Sequence, residues 1–268
     1  MPVMRATFQV VSHQGRAGLL VPWCGHHLHP TVGTPFEQTR TPLQLWFYAI
    51  HLFTTTRHGV SAKELERQLG VTYKTAWRMA GLIRQHMADV DGEGMIGGPG
   101  THVEIDETLV GGRKKGKHNR GATAKTVLVG ALERDGNIIT AVVPNQRRAT
   151  LQPFVLSNVA TGGIVHTDEL NSYGQLAAAG YRHATVCHSA EEYARRDNRL
   201  GCTVSVNGIE GFWRHLKCSI VGTHISVSPK YLGRYAKEFK YRFNRRERPE
   251  TMLPELLSTF RPLTAKRG

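Results

Sequence analysis

The chain has 268 residues, with 35 Lys and Arg against 21 Asp and Glu, a formal charge of +14 and 40% hydrophobic residues. That length holds one large domain or two small ones, and no run approaches 18 uncharged apolar residues, so no membrane-spanning helix is expected. An excess of cations this large attracts a polyanion, and with no amphipathic anchor helix beside it the expected partner is nucleic acid rather than a membrane surface.

The opening twenty residues lack the basic, apolar, small-residue order of a secretory leader. The four cysteines, Cys24, Cys187, Cys202 and Cys218, form no Cys-x-x-Cys pair. In a chain this long that pattern reads as reduced thiols, so a cytoplasmic, nucleoid-associated protein is the expectation. Trp23-Cys24-Gly25-His26-His27-Leu28-His29 crowds potential zinc ligands together. A structural zinc site wants two ligand pairs spaced along the chain. The second pair is missing, so residues 1–40 are expected to be a poorly ordered segment without structural zinc.

From Pro42 the pattern turns helical. Leu43, Trp46, Phe47, Ile50 and Phe53 recur at three- and four-residue spacing and make one apolar stripe. Ser61 with Glu64 reads as a capping box, which starts a helix at Ala62 that runs to about Leu69. Gly70-Val71-Thr72 then turns the chain, and Thr72 caps a second helix through about Met87, with Ala76, Met79, Ala80 and Ile83 as its apolar side. A short helix, a glycine turn and a second helix describe a helix-turn-helix over 41–90; a plain helical hairpin is the alternative. The second helix carries Lys74, Thr75 and Arg78 near its start, where base and phosphate contacts are made. Residues 91–100 are rich in glycine and acid and read as a linker.

Beyond the linker the pattern alternates strands and helices. Strands are predicted at 102–106, 126–133, 137–143, 164–167 and 184–188, with Asp135-Gly136 as a hairpin turn between the second and third. Helices are predicted at 149–160 and 172–179, and from about Val206. Antiparallel strands followed by strand–helix alternation give a mixed sheet with helices on its faces, an α/β domain over 101–248. Arg113, Lys114, Lys115 and Lys117 form a glycine-punctuated basic loop after the first strand, suited either to phosphate contact or to solvation. A last helix, 229–246, sets Tyr231, Tyr235, Phe239 and Phe243 on one face. Lys230, Arg234, Lys237, Lys240 and Arg242 lie on the other, free to touch DNA or water. Residues 249–268 read as a tail.

Three acids stand out in this frame. Asp106 and Asp168 each end an apolar run, and Glu210 lies on the helix that starts near Val206. Oxygen-donor carboxylates suit hard ions such as Mg²⁺ or Mn²⁺, and a pair of such ions relieves charge on both the attacking and the leaving oxygen of a phosphodiester. Asn207, three residues before Glu210 on the same face, is a neutral ligand or orients the acid. Lys217, two turns beyond Glu210, is placed to grip a phosphate.

Val-Glu-Ile-Asp-Glu-Thr from Val103, followed by Gly-Gly-Arg-Lys, then His-Thr-Asp-Glu from His166, then Val-Asn-Gly-Ile-Glu-Gly-Phe-Trp from Val206 with Lys217, resembles bacterial insertion-sequence transposases of the DDE class. The likeness is greatest to the group with an N-terminal zinc ribbon, a helix-turn-helix and an RNase H-like core, and covers about residues 31–248. His188 to Tyr193, Gly222 to His224 and Val227 to Lys230 carry it further. It implies metal-dependent cleavage and strand transfer at the ends of a mobile element, with Asp106, Asp168 and Glu210 as metal ligands and Asn207 as rival or partner for the third place. It also implies double-stranded DNA, terminal inverted repeats and target, as partner, and a homo-oligomer on that DNA. Two departures stand against it: Cys24 alone is left where the zinc ribbon would use four cysteines, and the Cys202–Ser205 segment is altered. A structure-selective nuclease and an inactive, transposase-derived DNA-binding protein are the other functions this pattern allows.

Overall fold

The computed structural model describes residues 9–13, 16–21, 26–28, 31–92, 94–111, 125–187, 190 and 192–259. The basic loop of Arg113, Lys114, Lys115 and Lys117 lies outside them, as do Cys24 and His29. Near the N-terminus the backbone of β1 (Gln9–His13), β2 (Arg16–Val21) and β3 (His26–Leu28) pairs antiparallel in that order, where the sequence pattern suggests no regular element.

Three helices follow: α1 (Leu43–Thr55), α2 (Ala62–Leu69) and α3 (Tyr73–Asp91). Ser61 Oγ accepts from the Glu64 amide and Thr72 Oγ1 from the Thr75 amide, so both expected caps form. Gly70 closes α2 at φ +64°, a left-handed position that a Cβ would strain. Trp46, Ile50 and Phe53 of the α1 stripe are buried, while Leu43 and Phe47 are exposed. Ala76, Met79, Ala80 and Ile83 of α3 complete this core. Phe36 also enters it, 5.4 Å from Trp46, so the packed unit begins before residue 41. So do Met252 and Leu256 of α7 (Met252–Ser258), where the sequence pattern suggests only a tail.

The larger body is a five-stranded sheet. Its strands are β5 (His102–Val110), β6 (Thr126–Glu133), β7 (Ile138–Val143), β9 (Ile164–Thr167) and β10 (Arg182–Thr185), in the order β10-β9-β5-β6-β7. The first three strands in sequence pair antiparallel, and β9 and β10 add parallel to β5. A mixed α/β sheet with flanking helices is therefore present. Strand alternation divides the core. Val103, Ile105, Val129 and Ala131 face α4 (Arg148–Asn158) and the stretch around Tyr173. Val110, Leu128, Leu132 and Ile138 face α5 (Asn207–Ser219) and α6 (Pro229–Asn244).

The remaining strands are short. β4 (Ile96–Gly97) pairs with β8 (Val159–Ala160), so part of the expected linker is a strand. A hairpin of β11 (Ala194–Asp197) and β12 (Cys202–Ser205) leads into α5. The expected helix over 172–179 is a 3-10 turn at Asn171–Tyr173 followed by turns, and the last strand starts at Arg182, two residues earlier than its apolar residues suggest.

Candidate active site

β5 is the spine of the site. The sequence pattern ends it at Asp106, but it continues to Val110, because Glu107 to Val110 keep pairing with Thr126 to Val129 of β6. Asp106 therefore sits in mid-strand, half-buried. What ends beside it is the parallel neighbour. β5 and β9 pair up to Glu104 with His166; two residues on, Asp106 is still within β5, while Asp168 directly follows the end of β9, near enough for its charge to act on Asp106. The pairing of β5 with β9 thus leaves these two acids at neighbouring places along the sheet, although 61 residues separate them in the chain.

Glu210 completes the group from above. It lies in the first turn of α5, on its exposed side. Burial first, then the charge of Glu107, then Asp168 and Glu210, push the Asp106 carboxyl up to about 7, against a backbone hydrogen bond that lowers it. Those causes are the physical sign that the acids crowd one another. Burial and Asp168 also raise Glu107, on the opposite face of β5. Glu107 is gripped there by Tyr173 Oη at 2.6 Å and Gln146 Nε2 at 2.9 Å. Burial and the Glu107 carboxylate push the Tyr173 phenol far up, so it stays a donor.

The position of α5 rests on Glu104, a residue the sequence pattern passes over. Its carboxylate is buried, accepts from the Ile209 amide at 3.0 Å and pairs with Arg134 at 2.8 Å. It is a helix cap supplied by a distant strand. Gly208 makes room for it: a Cβ there would meet Glu104 Oε2 at 2.8 Å. Gly130, which pairs with Asp106, likewise lets Trp213 approach, with a Cβ falling 2.8 Å from the indole. Ile209, Phe212, Trp213 and Leu216 face the sheet, and Asn207, Glu210 and Lys217 are exposed on the helix.

The basic residues separate into two kinds. Lys74 and Arg78 of α3 and Lys230 and Arg234 of α6 are exposed, and Thr75 is half-buried. The two helices meet where Trp77 packs edge-on against Tyr231 at 5.3 Å, with Lys230 and Arg234 over the Tyr231 ring. Trp77 thus lies among the sequence-derived basic residues of the two helices on one surface. Lys240 and Arg242 are not part of it. Lys240 is buried against Asp91 at 3.1 Å, and Arg242 binds Glu238 at 2.9 Å and the Thr56 carbonyl. Periodicity alone cannot tell a solvated basic face from cations whose partners lie elsewhere in the chain.

Comparison with known proteins gives concordant results. Residues 96–244, more than half of the chain, match the family described as the ISXO2-like transposase domain. A transposase-like protein of Haemophilus influenzae is 33% identical over 110 residues, 41% of this chain and 83% of that protein. A protein in the transposable element ISH50 of Halobacterium salinarum is 24% identical over 239 residues, 82% of this chain and 76% of that protein.

Proposed function

The chain belongs to the ISXO2-like transposase family, and from that premise we propose that it cuts DNA at the ends of an insertion sequence and joins the freed ends to a target. The observation that carries the proposal is that the charges of Asp168 and Glu210 both reach Asp106 and help to raise its carboxyl. The sheet order, with three antiparallel strands and two parallel ones added at the first, supports an RNase H-like core over 101–248.

Three oxygen donors that repel one another fit a hard divalent ion, Mg²⁺ or Mn²⁺. When bound, such ions supply charge relief on the phosphodiester and a more acidic nucleophilic oxygen. Asp106, Asp168 and Glu210 would hold them. Asn207 shares the first turn of α5 with Glu210 and orients it or replaces it as third ligand. Lys217 holds a phosphate of the strand being cut. In the first step a water oxygen bonds to phosphorus and the 3′-oxygen leaves. In the second, that 3′-hydroxyl attacks a phosphodiester of the target, whose own 3′-oxygen leaves.

Binding is the work of the basic residues. We assign residues 41–90 as a helix-turn-helix whose Lys74, Thr75 and Arg78 meet the terminal repeats. Lys230 and the loop of Arg113, Lys114, Lys115 and Lys117 contact phosphates, and the protein acts as a homo-oligomer on DNA. The test uses labelled duplexes that carry the element ends, with Mg²⁺ or Mn²⁺. Nicking followed by joining is the expected result. Nicking without joining would make the protein a nuclease, and binding without nicking would make it a DNA-binding relic.

A further inference from the structure

At the N-terminal end of β5, three side chains that the transposase chemistry does not use come together. His102 Nδ1 of β5 lies 2.9 Å from His166 Nε2 of β9, and the two rings are nearly parallel, 19° apart. Cys202, at the start of β12, joins them as a free thiol, with one ligand atom from each residue within 4.8 Å of the others. His166 is fully buried, while His102 and Cys202 are half-buried, so the group opens toward solvent on one side.

We propose that His102, His166 and Cys202 form a three-ligand site for a divalent ion of the zinc class, separate from the carboxylate cluster. Two imidazoles and a thiolate are a borderline-to-soft donor set, which Zn²⁺ favours and Mg²⁺ does not. In a tetrahedral site with bonds of about 2.0–2.3 Å the ligand atoms stand about 3.4–3.6 Å apart. The ring nitrogens must open by about half an ångström and the farthest pair must close by about one, within reach of side-chain rotation at the partly exposed Cys202. On binding, the ion replaces the proton that the two ring nitrogens share. That proton moves to the outer nitrogen of one ring, and the thiol gives its proton to solvent. Three protein ligands leave a fourth position for water.

The placement gives the ion a structural task. It ties β5, β9 and the hairpin together, two residues before Asp168 and five before Asn207. Arg134 already pins that hairpin through the carbonyls of Thr203 and Ser205. An ion at Cys202 adds a second pin just ahead of the helix that carries Glu210. The expectation of no structural zinc rested on Cys24 and the histidines near it. His102, His166 and Cys202 are far apart in sequence and meet only through the sheet register.

The experiment titrates the full, metal-stripped chain with Co²⁺ as a spectroscopic stand-in for Zn²⁺. One equivalent should produce a thiolate-to-cobalt charge-transfer band that Zn²⁺ displaces and excess Mg²⁺ does not. Removing an outer-shell partner of a metal site costs roughly 10- to 100-fold in affinity, so Cys202→Ser and His102→Gln should each lose at least that much, and Cys202→Ser should lose the band. Both changes are partly exposed and near-isosteric, and circular dichroism of the metal-free variants checks that the fold is kept. Cys24→Ser should leave the band intact. A wild-type chain without the band, a band that survives Cys202→Ser, or one that Cys24→Ser removes, would each overturn the assignment.

Discussion

Asp106 is an acid that the fold induces to keep its proton. Its folded pKa of about 7 stands well above its ordinary 3.8, because burial and the charges of Glu107, Asp168 and Glu210 all disfavour the anion. Between those values the native chain holds a proton that the unfolded chain has released, so stability falls as pH rises through that window. Without divalent ions, Asp106 should therefore contribute a downward slope between pH 5 and pH 8, on the order of 1–3 kcal/mol after allowance for solvent, against the rise contributed by His166 and His224, whose buried rings are held neutral. Asp106→Asn should flatten that slope and be the more stable protein at pH 8; urea midpoints at the two pH values decide it. A divalent ion needs the anion, so added Mg²⁺ should stabilise the wild type most at the alkaline end and Asp106→Asn hardly at all. Asp106→Asn and Asp168→Asn should also abolish nicking with DNA affinity retained, because affinity comes from the basic residues. Glu210→Gln should match them. If it cuts normally while Asn207→Ala does not, the third place belongs to Asn207.

At the scale of elements, the site depends on how closely α5 can lie on the sheet. Gly130 and Gly208 permit that approach, one under Trp213 and Ile209 and the other under Glu104. Gly130→Ala puts a methyl 2.8 Å from a buried indole. Such overpacking costs about 1–3 kcal/mol, and it lifts α5 and Glu210 away from Asp106. The expected result is a lower urea midpoint and weaker Mg²⁺ stabilisation together. A lower midpoint with unchanged Mg²⁺ response would mean the acids do not depend on this contact. The helices α2 and α3 were legible because their caps and stripes are local: Ser61, Thr72 and the spacing from Ala76 to Ile83 carry the message themselves. The acids were legible as motif residues and were expected to meet, but the parallel pairing of β5 with β9 that leads toward Asp106 and Asp168 was not, since it joins residues some sixty positions apart. The hairpin before α5 escaped notice because Ala194-Arg195-Arg196-Asp197 has no apolar alternation. Glu104 escaped because nothing near it in sequence marks an acid as the cap of a helix a hundred residues on.

At the scale of the molecule, the helical unit and the sheet are joined by a buried ionic clamp rather than by apolar contact alone. Glu238 of α6 is fully buried and takes Arg84 of α3 at 2.6 Å and Arg242 at 2.9 Å. Arg84 also donates to the Val60 carbonyl at 3.0 Å and lies 4.1 Å from the Tyr235 ring. Gly59, at φ +82°, leaves space for the carboxylate, which a Cβ would meet at 2.8 Å. Despite burial, the two guanidinium groups hold Glu238 below the usual carboxylate range, so it stays charged at neutral pH. Asp91, at the end of α3, adds a second clamp through Lys240 and Arg245. The exposed Lys74, Arg78, Lys230 and Arg234 share a surface because α3 is locked to α6, so the clamp sets the geometry of the proposed DNA-binding face. Arg78→Ala should then weaken binding to element ends more than to random duplex, whereas Glu238→Gln should weaken both. Breaking a buried pair on one side costs about 3–5 kcal/mol, because it strands the other charge. Glu238→Gln should therefore lower the urea midpoint sharply and split one unfolding transition into two, read by hydrogen exchange in α2 and in β6. Arg84→Met combined with Glu238→Leu strands fewer charges and should destabilise less than the sum of its parts. A Glu238→Gln protein that unfolds in one step at the wild-type midpoint would show that apolar packing between α3 and α6 suffices to hold the two units together.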